Sequence, residues 1–205
     1  LDWGVALRLR DRDTESPALV GTPGYLAPEM ISGNPQEVDA RTDVYLLGGT
    51  LYEVLSGKMP HEAPTAIAAL VVAMTGAPLA LPESAPRELA TLVEHAMARD
   101  KNARLKSAEA FREGLARFLA SHEADRVAAD GRAAVARAVE LAEELGHDSP
   151  EVFRALVEAR FAFVAALRIR PDEAKTQAAL EACLGRLVER ALARRSPAGA
   201  RAALN

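Results

Sequence analysis

The sequence predicts a mainly α-helical protein, and three observations support that prediction. Alanine, leucine, arginine and glutamate, all strong helix formers, dominate the chain. Apolar residues recur at three- and four-residue steps over long stretches, as they do on one face of a helix. Residues that begin or end helices stand at the edges of these stretches. With 205 residues and 49% apolar content, the chain is long enough for one large or two small domains.

Residues 1–34 are predicted to form a long ordered loop. They are rich in glycine, proline, serine and threonine, which favour turns over regular elements. A weak alternation of apolar and polar residues at 5–10 predicts one short strand inside this loop.

The first helix is predicted to begin after the N-cap Asp39 and to end at Gly57. Its middle is apolar nearly all round, which is typical of a helix buried at the centre of a domain. Two adjacent glycines, Gly48 and Gly49, cost about 1 kcal/mol each relative to alanine inside a helix. We therefore expect another segment of the chain to pack closely against them.

Six further helices follow from the same signals. Apolar periodicity and terminal serine, proline and glycine residues predict helices over residues 65–74, 86–98, 107–120, 124–145, 150–169 and 172–195. The composition changes near His122, beyond which the chain is richest in alanine, glutamate, arginine and leucine. We therefore expect two domains, residues 1–121 and residues 122–205, the second an α-helical hairpin or solenoid-like region.

The charge and the cysteine content exclude several classes of protein. A net charge of −4, with arginines dispersed among acids, gives no general attraction to nucleic acid or anionic lipid. No apolar run reaches the ~20 residues that a membrane-spanning helix needs. The single cysteine, Cys183, excludes an intrachain disulfide and fits a reducing, cytoplasmic compartment. A membrane anchor of a parent protein would lie outside this segment.

Four separated blocks give the strongest functional signal. In chain order they are Asp-Trp-Gly at 2–4, Gly-Thr-Pro-Gly-Tyr-Leu-Ala-Pro-Glu at 21–29, the run 43–60 with Asp-Val-Tyr-Leu-Leu-Gly at 43–48 and Leu-Tyr-Glu-Val-Leu-Ser-Gly-Lys-Met-Pro at 51–60, and Arg104 before a Ser-capped helix. Their order and approximate spacing resemble the C-terminal lobe of bacterial Ser/Thr protein kinases. In that family the activation segment opens with Asp-Phe-Gly and closes with Ala-Pro-Glu. The resemblance implies that residues 1–121 form the activation segment and C-lobe helices of a partial kinase domain.

The resemblance implies ATP and Mg²⁺ as cofactors and gives the first block a role. Asp2 matches the aspartate that binds the magnesium bridging the ATP phosphates, and a hard cation prefers such a carboxylate oxygen. Gly4 matches the tight turn that follows. Trp3 stands where the family has phenylalanine, so the packing of that ring must differ.

The second block supplies candidate residues on the substrate side. Thr22 matches the activation-segment threonine that contacts the catalytic aspartate and helps to receive the substrate hydroxyl. Thr14 and Ser16 lie where activating phosphorylation usually occurs in the family. A phosphate there would add about −2 charge and recruit an arginine.

The resemblance gives three further residues structural roles. The resemblance pairs Glu29 with Arg104 in an ion pair that pins the activation segment to the lobe, a contact that suits a bidentate arginine. Asp43 matches the aspartate that holds the backbone of the catalytic loop, and on a buried helix it would need hydrogen-bond partners. His61 stands where phenylalanine is common, and we interpret it as a packed or solvated histidine rather than a metal ligand.

Several kinase elements do not occur in these 205 residues: the Gly-x-Gly-x-x-Gly loop, the Val-Ala-x-Lys strand and the His-Arg-Asp-x-x-x-x-Asn loop. The resemblance thus implies part of a Ser/Thr kinase that transfers the γ-phosphate of ATP to Ser or Thr hydroxyls of protein substrates. Its missing N-terminal lobe would be a partner. We expect the chain to be truncated at its front edge and inactive alone. The alternative is a pseudokinase or scaffold that binds protein partners without catalysis, which Trp3 favours slightly.

The rear helices carry a weaker signal. Five residues fit the second half of a tetratricopeptide-type repeat: Ala159, Phe163, Ala166, Leu167 and Pro171. The first half of that repeat does not fit. Two interpretations stay open, a helical solenoid that binds a protein partner and a helical spacer behind the kinase lobe.

Overall fold

The computed structural model describes residues 21–75 and 80–194, and within these ranges every regular element is helical. The α-helices are α1 (Pro28–Ile31), α2 (Ala40–Ser56), α3 (Ala66–Thr75), α4 (Arg87–Ala96), α5 (Ala108–Leu145), α6 (Pro150–Ile169) and α7 (Ala174–Ala193), with one 3-10 turn at Pro35–Glu37. The predicted mainly α class is confirmed. The chain divides into two compact units, Leu1–Phe118 and Leu119–Asn205, hereafter the first and second units.

Helix α2 begins and ends where its capping residues predict. The Asp39 carboxylate accepts a hydrogen bond from the Arg41 N–H at 2.8 Å, and the Thr42 hydroxyl accepts one from the Asp39 N–H at 3.2 Å. This reciprocal arrangement satisfies backbone donors that a helix start leaves free. Gly57 ends the helix in the left-handed conformation, with φ of 71°.

The glycine pair in α2 does allow a close approach of other segments. A Cβ atom added to Gly48 would lie 2.7 Å from both Ala96 Cβ and Met97 Cγ, at the end of α4. A Cβ added to Gly49 would lie 3.3 Å from Pro60 Cγ and 3.5 Å from Tyr25 Cδ1. The missing side chains thus let α4 pack against one side of α2 and the 24–25 and 59–60 segments against another.

We expect the substitution Gly48→Ala to destabilise the first unit by about 1–3 kcal/mol, because overpacking forces α2 and α4 apart. This cost outweighs the roughly 1 kcal/mol that alanine gains in helix propensity. Urea unfolding, followed by hydrogen exchange of α2 and α4 amides, measures the change. Thr50→Ala, at an exposed position on the same helix, is the matched control and should change stability by less than about 0.5 kcal/mol. If Gly48→Ala left the stability of the first unit unchanged, the close packing of α2 against α4 would be contradicted.

Two clusters of buried side chains form the core of the first unit. One contains Ala27, Tyr45, Tyr52, Val93 and Met97, and the other contains Val44, Leu89, Leu92, Ala96 and Phe111. Both clusters join α2 to α4, and they also bring in Ala27, just before α1, and Phe111 near the start of α5.

The expectation that α2 is buried all round is wrong. Asp43 and Leu47 are exposed, and Val54 is 75% exposed. These positions follow each other at four- and seven-residue spacings, so they lie along one side of the helix. An apolar composition indicates that a face favours burial, but coverage of that face depends on which other segments are present.

The predicted helix break between residues 120 and 124 is also wrong, because α5 runs without interruption from Ala108 to Leu145. The two expected helices, 107–120 and 124–145, are joined by Ser-His-Glu, which contains no glycine or proline to stop a helix. Arg126 forms an ion pair with Glu123 at 2.7 Å across this junction. Such i,i+3 pairs add a few tenths of a kcal/mol to a helix. The predicted loop up to residue 34 also contains the short helix α1.

The second unit is built around α6, α7 and the later part of α5. Its buried cluster contains Ala134, Ala138, Ala142, Val152, Ala155, Leu156, Ala159, Phe163, Cys183 and Leu187. Ser149 caps α6 by accepting a hydrogen bond from the Glu151 N–H at 3.2 Å, as its position before Pro150 predicts. Among the described helices, none has both the length and the apolar character required to cross a membrane.

The loop between α5 and α6 is held by a buried arginine. Arg190 of α7 is only 9% exposed, and its guanidinium donates to the backbone carbonyls of His147, Asp148 and Ser149. Three carbonyl oxygens satisfy the donors of a cation that burial would otherwise destabilise. The cation therefore ties α7 to the neighbouring loop.

Candidate functional site

The site consists of the segment 21–29, which ends in α1, and of the side chains that hold it. Thr22 lies at its start and is exposed. The Thr22 carbonyl accepts a hydrogen bond from the Tyr25 N–H at 2.9 Å, which closes a turn. The Thr22 side chain therefore stands on a fixed turn and faces outward.

The far end of the segment is anchored by a buried ion pair. Glu29 is 5% exposed and Arg104 is 2% exposed. The Arg104 Nη1 donates to Glu29 Oε1 at 2.6 Å, and its Nη2 donates to Glu29 Oε2 at 2.9 Å. The Thr42 hydroxyl donates to the same carboxylate at 2.8 Å. The structure thus brings together the two residues that the resemblance pairs.

The protonation of Glu29 follows from these contacts. Burial alone would raise the pKa of its carboxyl, but hydrogen bonds and the charge of Arg104, together with the Thr42 hydroxyl, hold the pKa below its ordinary value. Glu29 is therefore an anion at neutral pH. The two hydrogen bonds of this bidentate pair are stronger than hydrogen bonds between neutral groups, because both partners are charged and water is excluded.

Arg104 also connects the segment to the rest of the first unit. Its Nε donates to the Ala98 carbonyl at 2.7 Å, and Nη1 reaches the Arg41 carbonyl at 3.2 Å. Its guanidinium lies 4.7 Å from the centroid of the Tyr45 ring, a cation–π contact. One side chain thus joins α1, α2 and the loop after α4.

A polar cleft of about 320 Å³ borders this anchor. Its lining residues are Pro28, Glu29, Glu37, Arg41, Arg99, Asp100, Lys101 and Asn102. Arg41 donates to Asp39 at 2.7 Å and to Asn102 Oδ1 at 3.0 Å. The hydrogen bond from Arg41 lowers the pKa of Asp39 to about 2. The charge of Arg41 is therefore neutralised locally, and the pair fixes the start of α2.

Two contacts hold the middle of the segment, and the sequence interpretation missed both. The Tyr25 hydroxyl donates to the Glu53 carboxylate on α2, and this hydrogen bond, with burial, raises the pKa of Tyr25 to about 12. The His61 N–H donates to the Gly24 carbonyl at 3.1 Å. Gly24, Tyr25 and Glu53 lie within the motif blocks and His61 directly follows one, but nothing in their spacing indicates which groups meet.

His61 is packed rather than solvated. It is fully buried, and its Nε2 lies 2.9 Å from the Tyr45 hydroxyl oxygen. Its Nδ1 is buried without a hydrogen-bond partner among the described residues. Burial lowers the pKa of the imidazole. Within the described ranges, no cluster of three or more His, Cys, Asp or Glu residues is arranged to hold a metal ion.

Asp43 lies apart from the anchor. It is exposed on α2, whereas the apolar neighbours of Asp43 in the sequence predict a buried position. Partial desolvation raises the pKa of its carboxyl. The other sequence-predicted site residues, Asp2, Gly4, Thr14 and Ser16, lie outside the described residues, as does the strand predicted at 5–10.

Comparison with known proteins adds a family to this geometry. The family model described as protein kinase domain matches residues 1–115. The chain is 40% identical over 109 residues to serine/threonine-protein kinase PksC of Streptomyces coelicolor, covering 52% of this chain and 19% of that protein. It is 36% identical over 123 residues to PknB of Mycobacterium tuberculosis, covering 57% of this chain and 19% of that protein. It is 36% identical over 129 residues to Pkn1 of Myxococcus xanthus, covering 60% of this chain and 18% of that protein. The chain thus spans less than a fifth of each of these relatives.

Proposed function

The chain belongs to the protein kinase domain family, and on that premise we propose that it is the activation segment and helical lobe of a Ser/Thr protein kinase. The complete enzyme would transfer the γ-phosphate of ATP to Ser or Thr hydroxyls of protein substrates. The buried Glu29–Arg104 pair supports this proposal most directly, since it joins residues 75 positions apart and fixes the end of the segment to the lobe. A segment that positions a substrate needs such a rigid attachment.

In this proposal Thr22 acts on the substrate side. Its exposure and its position on a closed turn support that role, because a hydroxyl that meets a substrate must be both accessible and oriented. Thr14 and Ser16 are proposed as sites of activating phosphorylation. They are the hydroxyl-bearing residues between Asp2 and Gly21.

The family implies Mg²⁺ and ATP, and Asp2 is the residue of this chain that would hold the metal. Mg²⁺ is commonly bound through one or two carboxylates together with substrate phosphates and water, so a single carboxylate fits its requirements. When bound, the ion would neutralise charge on the transferred phosphoryl group. The remaining groups that bind nucleotide would come from the N-terminal lobe and the catalytic loop.

The exposed side of α2 is proposed as the seat of that catalytic loop. Asp43 supplies an acceptor for backbone N–H groups, and Leu47 and Val54 supply apolar surface on the same side of the helix. An aspartate without a hydrogen-bond partner among the described residues, next to exposed apolar side chains, is what an absent packing element would leave behind. The chain alone should therefore lack kinase activity.

Phosphoryl transfer from Mg-ATP to a protein rich in Ser and Thr tests the proposal. We expect no transfer by the 205-residue chain. We expect transfer by a chimera in which the part of M. tuberculosis PknB that precedes the aligned region is fused to residue 1. In that chimera Thr22→Ala should lower the rate about 100-fold, as expected for the loss of substrate positioning.

Thr50→Ala, an exposed threonine on α2, is the matched control and should leave the rate of the chimera unchanged. Transfer by the isolated chain would contradict its predicted inactivity. If the chimera folds but transfers no phosphate, and its Asp2→Asn variant behaves in the same way, the result would instead support the pseudokinase or scaffold alternative.

For the second unit, we propose a role in binding a protein partner. The supporting observation is a row of apolar side chains on α6, in which Phe153 and Phe161 are exposed and Val157 lies between them. A double substitution, Phe153→Ser with Phe161→Ser, should reduce capture of proteins from a bacterial lysate while the helical content stays constant. Unchanged capture would favour a helical spacer.

A further inference from the structure

His61 is an unusual residue for the position it occupies. The site is fully buried, and the buried Nδ1 has no hydrogen-bond partner among the described residues. Leaving a polar atom unsatisfied in a protein interior lowers stability. An apolar ring of similar size would fill the space without that cost. The imidazole therefore carries a titratable group into the core at some expense of stability.

The backbone of His61 is attached directly to the activation segment. Its N–H donates to the Gly24 carbonyl at 3.1 Å, next to the turn that carries Thr22. Gly24 also lies against the side chain of the neighbouring Met59, because a Cβ added to Gly24 would be 2.8 Å from the Met59 sulfur. A movement of residues 59–61 would therefore displace the turn.

The side chain of His61 is linked to the buried anchor through Tyr45. The two rings are stacked with centroids 6.0 Å apart, and the Tyr45 hydroxyl is within hydrogen-bond distance of Nε2. The Arg104 guanidinium lies over the same tyrosine ring and is paired with Glu29. The other ionisable side chains on α2 and on this loop are the core tyrosine Tyr52, Glu53, which accepts from Tyr25, Arg41 at the start of the helix, and the exposed Asp43, Lys58 and Glu62.

Protonation of His61 is disfavoured by this arrangement. A protonated imidazole donates from both nitrogens, but no acceptor faces Nδ1 among the described residues. The Arg104 guanidinium lies over the same tyrosine ring, and the Glu29 carboxylate is already occupied by two hydrogen bonds from that arginine. Glu62 is exposed and its carboxylate can stay hydrated, so it gains little from an ion pair with a protonated His61.

We propose that His61 is a pH-sensitive positioning residue, which holds the Gly24 turn of the activation segment when neutral and releases it when protonated. This inference rests on the proposed function, because it concerns the segment that would receive the substrate. The link is direct, since a local opening that exposes the imidazole to water also breaks the hydrogen bond to Gly24.

The sign of the pH effect follows from linkage. Burial lowers the pKa of His61 in the closed state, while the open state has the ordinary value of about 6.5. Above that value neither state is charged, and the closed state keeps its full stability. As the pH falls below about 6.5, the open state takes up a proton first. The opening equilibrium should then rise by about tenfold per pH unit until the closed state also protonates.

Hydrogen exchange on the full 205-residue chain at pH 7.5 and 5.5, corrected for the intrinsic exchange rate, tests this inference. We expect the protection of the His61 amide to fall at pH 5.5, by at most about tenfold. The Met97 amide of the core, which donates to the Val93 carbonyl, should change by less than about twofold, because the opening is local. In His61→Phe the fall should disappear.

His95→Gln is the matched control, because it removes an exposed histidine from the same unit and should leave the pH response of the His61 amide intact. The inference is overturned if His61→Phe keeps the response of the unchanged chain. NMR titration of the His61 ring in the unchanged chain gives a second test, independent of any variant. A pKa near 6.5 for the His61 ring, with no loss of amide protection at pH 5.5, would also overturn the inference. Neither measurement uses phosphoryl transfer, so a negative result here leaves the kinase assignment standing.

Discussion

Arg104→Met should lower the free energy of unfolding of the first unit by about 3–5 kcal/mol, the typical cost of removing one partner from a buried ion pair. The methionine would fill part of the space, but the Glu29 carboxylate would remain buried without its two charge-assisted hydrogen bonds. The carbonyls of Ala98 and Arg41 would also lose a donor. Such a loss is a large fraction of the stability of a small domain.

Urea unfolding, with hydrogen exchange of α2 and α4 amides to report on the first unit, measures this effect. Arg112→Met is the control, because Arg112 pairs with Glu109 at 2.6 Å while both side chains are exposed. An exposed pair of this kind contributes about 0–1 kcal/mol. The double variant Arg104→Met with Glu29→Gln should be more stable than the sum of the single losses predicts, because no uncompensated charge remains. If Arg104→Met and Arg112→Met lowered the free energy of unfolding equally, the Glu29–Arg104 pair would not be the anchor of the segment.

Phe163→Ala should destabilise the second unit by about 3–5 kcal/mol, because it removes a large ring from a packed core. Phe163 is 1% exposed and belongs to the cluster that joins α5, α6 and α7. Phe161, two residues away on the same helix, is 63% exposed. Phe161→Ala is therefore the matched control and should cost less than about 0.5 kcal/mol.

Thermal unfolding and exchange of α6 amides compare the two phenylalanine variants. A large difference is expected because both substitutions remove the same atoms from the same helix and differ only in burial. Similar losses from both would mean that the exposed ring is covered in solution, for example by self-association of the chain. Dilution of the protein over a wide concentration range would reveal that case.

Local signals explain why much of the fold could be predicted from the sequence. Asp39 and Ser149 cap their helices through hydrogen bonds to residues two or three positions away, so a short stretch of sequence contains both partners. Gly48 was informative for a different reason. A glycine inside a helix is costly, and its presence indicated that something packs there, although only the structure identifies Ala96 and Met97 as the neighbours.

The pairings at the candidate site could not be predicted in the same way. Tyr25 meets Glu53 across 28 positions, and His61 meets Tyr45 across 16, and each distance depends on how several elements pack. The Glu29–Arg104 pair was expected only because of the resemblance to kinases. The exposure of Asp43 also depends on which segments cover α2, and this information does not lie in the residues of the helix itself.

The Arg190 contacts have a consequence for proteolysis. Exposed loop tips are preferred sites of cleavage, because a protease must draw the chain into an extended conformation. The loop between α5 and α6 is short and polar, yet the carbonyls of three of its four residues are held together by one guanidinium. Extending the loop would detach a buried cation from all of its acceptors at once. This connection should resist protease far better than its polar composition suggests, and it should survive while less constrained parts of the chain are digested.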